Sequence, residues 1–117
     1  MLDGRIVKLQ TLAVETARRH LARHPEDRRV YGPDLAEEWC VHDMQWVLAW
    51  AFGDVAGLID LHEQAGWLAR ILRARDYPVG NYWDAFEEAA GVVRDQVAGG
   101  EPVAARLLAV RPSAAPS

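Results

Sequence analysis

Apolar residues recur every three or four positions along most of this chain, in segments that proline and glycine separate. The segment before Pro25 shows the pattern, with apolar side chains at Leu9, Ala13, Ala17 and Leu21. Such spacing places these side chains on one face of an α-helix. The chain also has 19 Ala and 12 Leu but only two Thr, which favours helix over strand. The sequence therefore predicts an all-α fold.

We predict a single helical domain over residues 1–110, a compact bundle of four to five helices, and a disordered tail over residues 111–117. Short connections favour an antiparallel bundle, although a globin-like arrangement with steeper crossings fits the same periodicity. Asp3 and Asp54 are the expected N-caps of the first and third long helices. Helices are expected over residues 3–24, 33–52, 54–75, 82–97 and 102–110, with a short turn or helix over 26–31 and a turn over 77–81.

Several classes of protein are disfavoured by the sequence. It has no run of about 18 uncharged apolar residues, so neither a membrane span nor a membrane partner is expected. The first residues lack the apolar core of a signal peptide. Cys40 is the only cysteine, which excludes an internal disulfide. These features predict a cytoplasmic protein, and 12 Arg against one Lys in an Ala-rich chain suggests a bacterium with a GC-rich genome.

Charge is distributed unevenly around a formal net charge of −4. No Lys or Arg occurs between Val30 and Ala69, whereas arginines cluster on both sides of this stretch. The resulting dipole favours a charged protein partner or a homodimer, and the acidic total disfavours nucleic acid. The acidic residues of this stretch are Asp34, Glu37, Glu38, Asp43, Asp54, Asp60 and Glu63.

The helix predicted over residues 33–52 is apolar on two sides. Helical geometry places Trp39, Asp43, Trp46 and Trp50 in one sector of about 60°. Val41, Met44, Leu48 and Phe52 occupy roughly the opposite side. We therefore expect this helix to be buried, with Asp43 among indole rings. A buried carboxylate needs a partner, because desolvation without one is costly.

His62 is the candidate partner for Asp43. It lies in the predicted inward stripe of the next helix, as that stripe's only ionisable residue. A turn near Gly53 and Asp54 would place His62 within one helical turn of Asp43 in an antiparallel hairpin. The other members of the stripe are Leu58, Leu61, Ala65, Leu68, Ala69 and Leu72.

Three hypotheses explain this arrangement. In the first, Asp43 and His62 are a hydrogen-bonded pair within an ordinary core. In the second, they help to line a pocket for a planar aromatic ligand, such as haem or another tetrapyrrole, which imidazoles can ligate. In the third, His62 is a general acid or base that Asp43 orients, as in a small isomerase, lyase or cyclase. The ligand-binding residues of the second hypothesis are Trp39, His42, Asp43, Trp46, Trp50 and His62.

Two further features complete the sequence-based prediction. Trp67 and Ile71 project onto a partly charged helix face and are candidates for a protein interface. His20 and His24 have the spacing of a metal pair, but the arginines around them repel cations, so we predict solvated histidines and no metal site. The working function is a regulatory or sensory module that self-associates or binds a partner. The alternatives are the small enzyme and an acidic inhibitor or immunity-type protein.

Overall fold

Six α-helices make up the part of the chain that this computed structural model describes, residues 8–32 and 35–111. Neither range contains a strand, and the predicted all-α fold is confirmed. None of the helices in these ranges combines the length and apolar character needed to cross a membrane. The helices are α1 (Leu9–Arg23), α2 (Asp27–Tyr31), α3 (Ala36–Val55), α4 (Leu61–Ala74), α5 (Val79–Gln96) and α6 (Glu101–Ala109).

The core lies between α1, α3, α5 and α6. Helix α1 packs against both α3 and α5, and α6 packs mainly on α5. Phe86, Leu48 and Leu107 are among the largest side chains that are completely buried there. Helix α4 is more peripheral: it contacts α3 and α5, and its fully buried residues are Leu61, Ala65 and Ala69. This position leaves one side of α3 only partly covered.

The tryptophan face of α3 is the partly covered side, contrary to prediction. Trp39 and Trp46 are 51% and 55% exposed, and only Trp50 is buried. The opposite face packs more deeply, with Met44 and Leu48 buried and Val41 and Phe52 half-buried, whereas α4 covers only part of the tryptophan face. The buried residues of α3 are Ala36, Cys40, Met44, Val47, Leu48, Trp50 and Ala51.

Helix α3 continues through the predicted break at Gly53 and Asp54 as far as Val55. Gly57 turns the chain with a φ of 78°. Asp60 then caps α4, since its Oδ1 accepts the backbone N–H of Glu63 at 3.1 Å. Asp54 is not the N-cap as predicted, but its Oδ2 reaches from the end of α3 to accept the N–H of Leu61 at 2.8 Å.

The later start of α4 changes where its first residues lie. His62 falls in the first turn and is exposed, so the prediction that it faces inward is wrong. Leu58 precedes the helix and is 81% exposed, which is also contrary to prediction. The rest of the predicted stripe is correct, because those residues are buried or half-buried.

Some predictions concern the ends of helices. The helix start at residues 33–34 and residues 112–117 of the predicted tail lie outside the described residues, as does Asp3. Helix α1 begins at Leu9 with an extended Lys8 as its N-cap, so the predicted start of the first helix is wrong. Helix α5 begins at Val79, inside the predicted turn. Arg111, assigned to the tail, forms ion pairs with Asp84 and Glu87 of α5 at 2.7 and 2.6 Å. These ion pairs hold Arg111 against α5.

Candidate functional site

A groove of about 420 Å³ lies between α3 and α4. Trp46 and Trp50 of α3 and Trp67 of α4 supply three indole walls. The ring centroids of Trp46 and Trp50 are 6.5 Å apart, with the planes tilted by 41°. This volume is in the range of small-molecule sites, about 300–1,000 Å³. The other lining residues are His42, Asp43, Gln64 and Leu68.

The described side chains that line the groove include no lysine and no arginine. None of the seven described lining residues is basic apart from His42. The Nδ1 of His42 lies 3.7 Å from Oδ1 of Asp43, and both side chains are about half exposed. A carboxylate beside indole faces favours a neutral or cationic aromatic ligand, since the faces of aromatic rings attract cations.

The groove collects four of the six residues predicted to bind a ligand: His42, Asp43, Trp46 and Trp50. Trp39 lies outside it, edge-on to His42 with a centroid separation of 5.9 Å. His62 does not line it either. Among the lining residues His42 is therefore the single imidazole, where the sequence suggested two.

The predicted pair of Asp43 and His62 finds no support. His62 is exposed in the first turn of α4, and Asp43 lies beside His42. The hypothesis of a small enzyme depended on that contact. It remains a hypothesis without a structural observation in its favour.

The sequence-based prediction missed Gln64, Trp67 and Leu68 as groove residues. Their spacing of three and four on α4 could have identified them, but Trp67 was assigned to an interface with Ile71. Trp67 is half exposed and lines the groove, whereas Ile71 is half-buried and lines an interior cavity. The interface itself stays a prediction.

His20 is buried, although the sequence predicted a solvated histidine. It is 1% exposed, and its Nε2 lies 2.7 Å from Oδ2 of the fully buried Asp27. The hydroxyl of Tyr77 donates to the same oxygen at 2.5 Å, and the amide of Asn81 donates to Oδ1 at 2.9 Å. Burial tends to raise the pKa of Asp27, but the hydrogen bonds from His20, Tyr77 and Asn81 outweigh it and hold the pKa below its ordinary value.

The acidic stretch is partly compensated by basic residues from other helices. Asp54 pairs with Arg106 of α6, and Glu37 lies 3.6 Å from the guanidinium of Arg18. The described part of the chain has no group of three or more side chains suited to hold a metal ion. A basic protein partner for this stretch stays a prediction.

Searches of protein-family models, of curated proteins and of solved structures found no match for this chain.

Proposed function

We propose that this chain is a small ligand-binding module, regulatory or sensory in role, that binds a planar aromatic molecule in the groove between α3 and α4. The observation that carries the proposal is the convergence of Trp46, Trp50 and Trp67 from two helices on one groove of about 420 Å³. Helical proteins ordinarily bury such residues in the core. Here two of the three, Trp46 and Trp67, are about half exposed.

Stacking supplies the affinity in this proposal. Aromatic pairs in offset or tilted geometry contribute about 0.5–1.5 kcal/mol beyond the burial of their area. A flat ligand that enters the groove covers the exposed parts of Trp46 and Trp67 and also contacts Leu68. The ligand therefore gains from both burial and stacking.

Charge selects among planar ligands. Asp43 provides a carboxylate at the groove, and no Lys or Arg lines it. A cationic ring system gains a favourable interaction with Asp43 and with the indole faces. A ligand with carboxylates, such as haem, would find no lysine or arginine among the described lining residues to pair with those carboxylates. The module therefore favours a cationic or neutral aromatic ligand.

The test is a titration with two three-ring probes, cationic proflavine and anionic anthracene-2-carboxylate, followed by tryptophan fluorescence. We expect proflavine to quench the fluorescence and to bind more tightly than anthracene-2-carboxylate. Trp67→Ala should weaken proflavine binding about tenfold, which corresponds to about 1.4 kcal/mol.

Trp39→Ala is the matched control. Trp39 and Trp67 are equally exposed, at 51%, but Trp39 lies outside the groove. Its removal should leave proflavine affinity unchanged, and thermal unfolding should show that both variants fold. Equal losses in the two variants, or no quenching of the wild-type protein, would contradict the proposal.

Binding of an iron tetrapyrrole such as haem is tested separately. His42 is the imidazole available to iron in the groove. A Soret band on addition of haemin that His42→Ala removes and Trp39→Ala retains would show that the ligand is a haem and that the charge argument is wrong. We expect no such His42-dependent band.

A further inference from the structure

A second cavity lies inside the bundle, between α1, α3, α4 and α5, behind the groove. Its volume is about 210 Å³, and most of its walls are apolar. Asp43 and Leu68 line both this cavity and the groove, so the two spaces adjoin at these residues. The apolar walls are Met44, Val47, Leu68, Ile71, Leu72 and Ala85, and the other lining residues are His20, Asp43, Arg75, Tyr77 and Tyr82.

His20 contacts both the cavity and Asp27. His20 lines the cavity, and Asp27 does not. Because the ionised Asp27 carboxylate accepts a hydrogen bond, Nε2 of His20 carries the proton of that contact. In the neutral ring Nδ1 is then an acceptor. Tyr77 and Asn81 also donate to this carboxylate and hold it in place, which helps to fix the position of the ring bonded to it.

Nδ1 of His20 is buried and has no hydrogen-bond partner among the described residues. Native proteins rarely leave a buried polar atom unpaired. The cavity's two tyrosines do not serve it, because Tyr77 donates to Asp27 and Tyr82 donates to the carbonyl oxygen of Ala65 at 2.8 Å. The unpaired acceptor and the adjacent cavity together point to a ligand with a donor group.

The size and walls of the cavity define that ligand further. One water takes about 30 Å³ of the liquid and needs two to four polar partners, whereas six of the eleven lining residues are apolar. A volume of about 210 Å³ suits a single-ring molecule better than a chain of waters. We propose that the cavity is a binding site for a small, neutral, mostly apolar ring compound that donates one O–H or N–H hydrogen bond to Nδ1 of His20.

Phenol and toluene test this proposal, because they have the same shape and differ in the donor. Binding is followed by the methyl signals of Val47 and Leu72 and by the ring nitrogen signals of His20 in NMR spectra. We expect phenol to bind about tenfold more tightly than toluene, which is the effect of one net hydrogen bond. Phenol should shift the Nδ1 signal of His20, and toluene should not.

Two variants locate the effect. His20→Leu keeps the apolar bulk but removes the acceptor, and it should reverse the preference in favour of toluene. Trp67→Ala alters the groove alone, so phenol should still shift the Nδ1 signal of His20 in this background.

The wild-type protein decides the matter even where His20→Leu fails to fold. Toluene binding as tightly as phenol, or phenol leaving Nδ1 unmoved, would overturn the proposal. The ring signals of His62, which lines neither the cavity nor the groove, are the internal control. If proflavine does not bind but phenol does, the proposal for the groove is rejected and the proposal for the cavity is not. The two proposals can therefore fail independently.

Discussion

At the scale of single residues, the buried carboxylate of Asp27 organises one side of the core. It joins α1, α2 and the start of α5 through His20, Tyr77 and Asn81. Its charge is stabilised by three donors, and each donor is worth more to a charged acceptor than to a neutral one. Burial and the bond to Asp27 raise the pKa of Tyr77 far above its ordinary value, so its hydroxyl stays a donor.

Removing the hydroxyl of Tyr77 should therefore destabilise the protein more than removing that of Tyr82. We expect Tyr77→Phe to lower the free energy of unfolding by about 1.5–3 kcal/mol, because the hydroxyl bonds to a charged group. Tyr82→Phe is the matched control: its hydroxyl donates to a backbone carbonyl, and the expected loss is about 0.5–1.5 kcal/mol. Urea denaturation measures both values. An equal or larger loss in Tyr82→Phe would mean that Asp27 does not strengthen the Tyr77 bond.

A double-mutant cycle tests the position of His62. Because His62 is exposed in the first turn of α4 and Asp43 lies beside His42, Asp43→Asn and His62→Leu should act independently. Their effects on the free energy of unfolding should add within about 0.5 kcal/mol. A larger coupling energy would indicate that Asp43 and His62 are in contact, as the sequence predicted, and would support the enzyme hypothesis.

At the scale of helices, the connection between α3 and α4 decides which side chains of α4 meet α3. Gly57 adopts a φ of 78° there, and the carbonyl of Gly53 accepts the N–H of Leu58 at 2.8 Å. A residue with a Cβ is strained at such a φ. The turn, with the caps from Asp54 and Asp60, fixes the start of α4 at Leu61.

Substitution by alanine should separate conformational strain from helix propensity. Gly57→Ala has free space around its new Cβ but a positive φ, and we expect a loss of about 1 kcal/mol or more. Gly80 lies in the first turn of α5 with equally free space and no positive φ, so Gly80→Ala should gain a few tenths to about 1 kcal/mol. Thermal and urea unfolding report both changes. The same sign for both variants would show that the turn at Gly57 imposes no strain.

At the scale of the whole molecule, an ionic network joins the end of α1 to α5 and to Arg111, two residues after the end of α6. Asp84 contacts His24 at 2.7 Å, Arg23 at 3.3 Å and Arg111 at 2.7 Å. Burial raises the pKa of Asp84, but the bonds from Arg111 and His24 and the charge of Arg23 together lower it. Burial lowers the pKa of His24, but the bonds to Glu26 and Asp84 outweigh it and raise the pKa.

The network predicts the direction of the pH dependence. Since the folded-state pKa of His24 is raised, its contribution to stability is complete below its unfolded pKa and is lost as pH rises through the folded value. The contribution of Asp84 is present above its unfolded pKa and is lost as pH falls through its lowered folded value. We expect the network to stabilise the fold most between about pH 4 and pH 6.5.

Urea unfolding across pH 5 to 9 tests this expectation. The wild-type protein should lose stability as pH rises above the unfolded pKa of His24, and His24→Gln should flatten that part of the profile. His62→Gln is the control, because His62 is exposed and has no ion pair in the described part of the chain. A profile that His24→Gln leaves unchanged would remove His24 from the pH dependence.

The sequence by itself determined the all-α class, most helix positions and the shared face of Trp46 and Trp50, because these follow from local periodicity and turn residues. It did not determine which face of α3 would be covered. That depends on the position of α4, which the turn at Gly57 and the caps from Asp54 and Asp60 fix.

The exposure of His62 and the burial of His20 are likewise properties of the tertiary structure. His20 sits near a helix end among arginines, and nothing local distinguishes it from a solvated residue. It is buried because it bonds to the carboxylate of Asp27, which Tyr77 and Asn81 from other parts of the chain hold in place. Helical periodicity assigns a side chain to a face, and only packing between distant segments decides what that face meets.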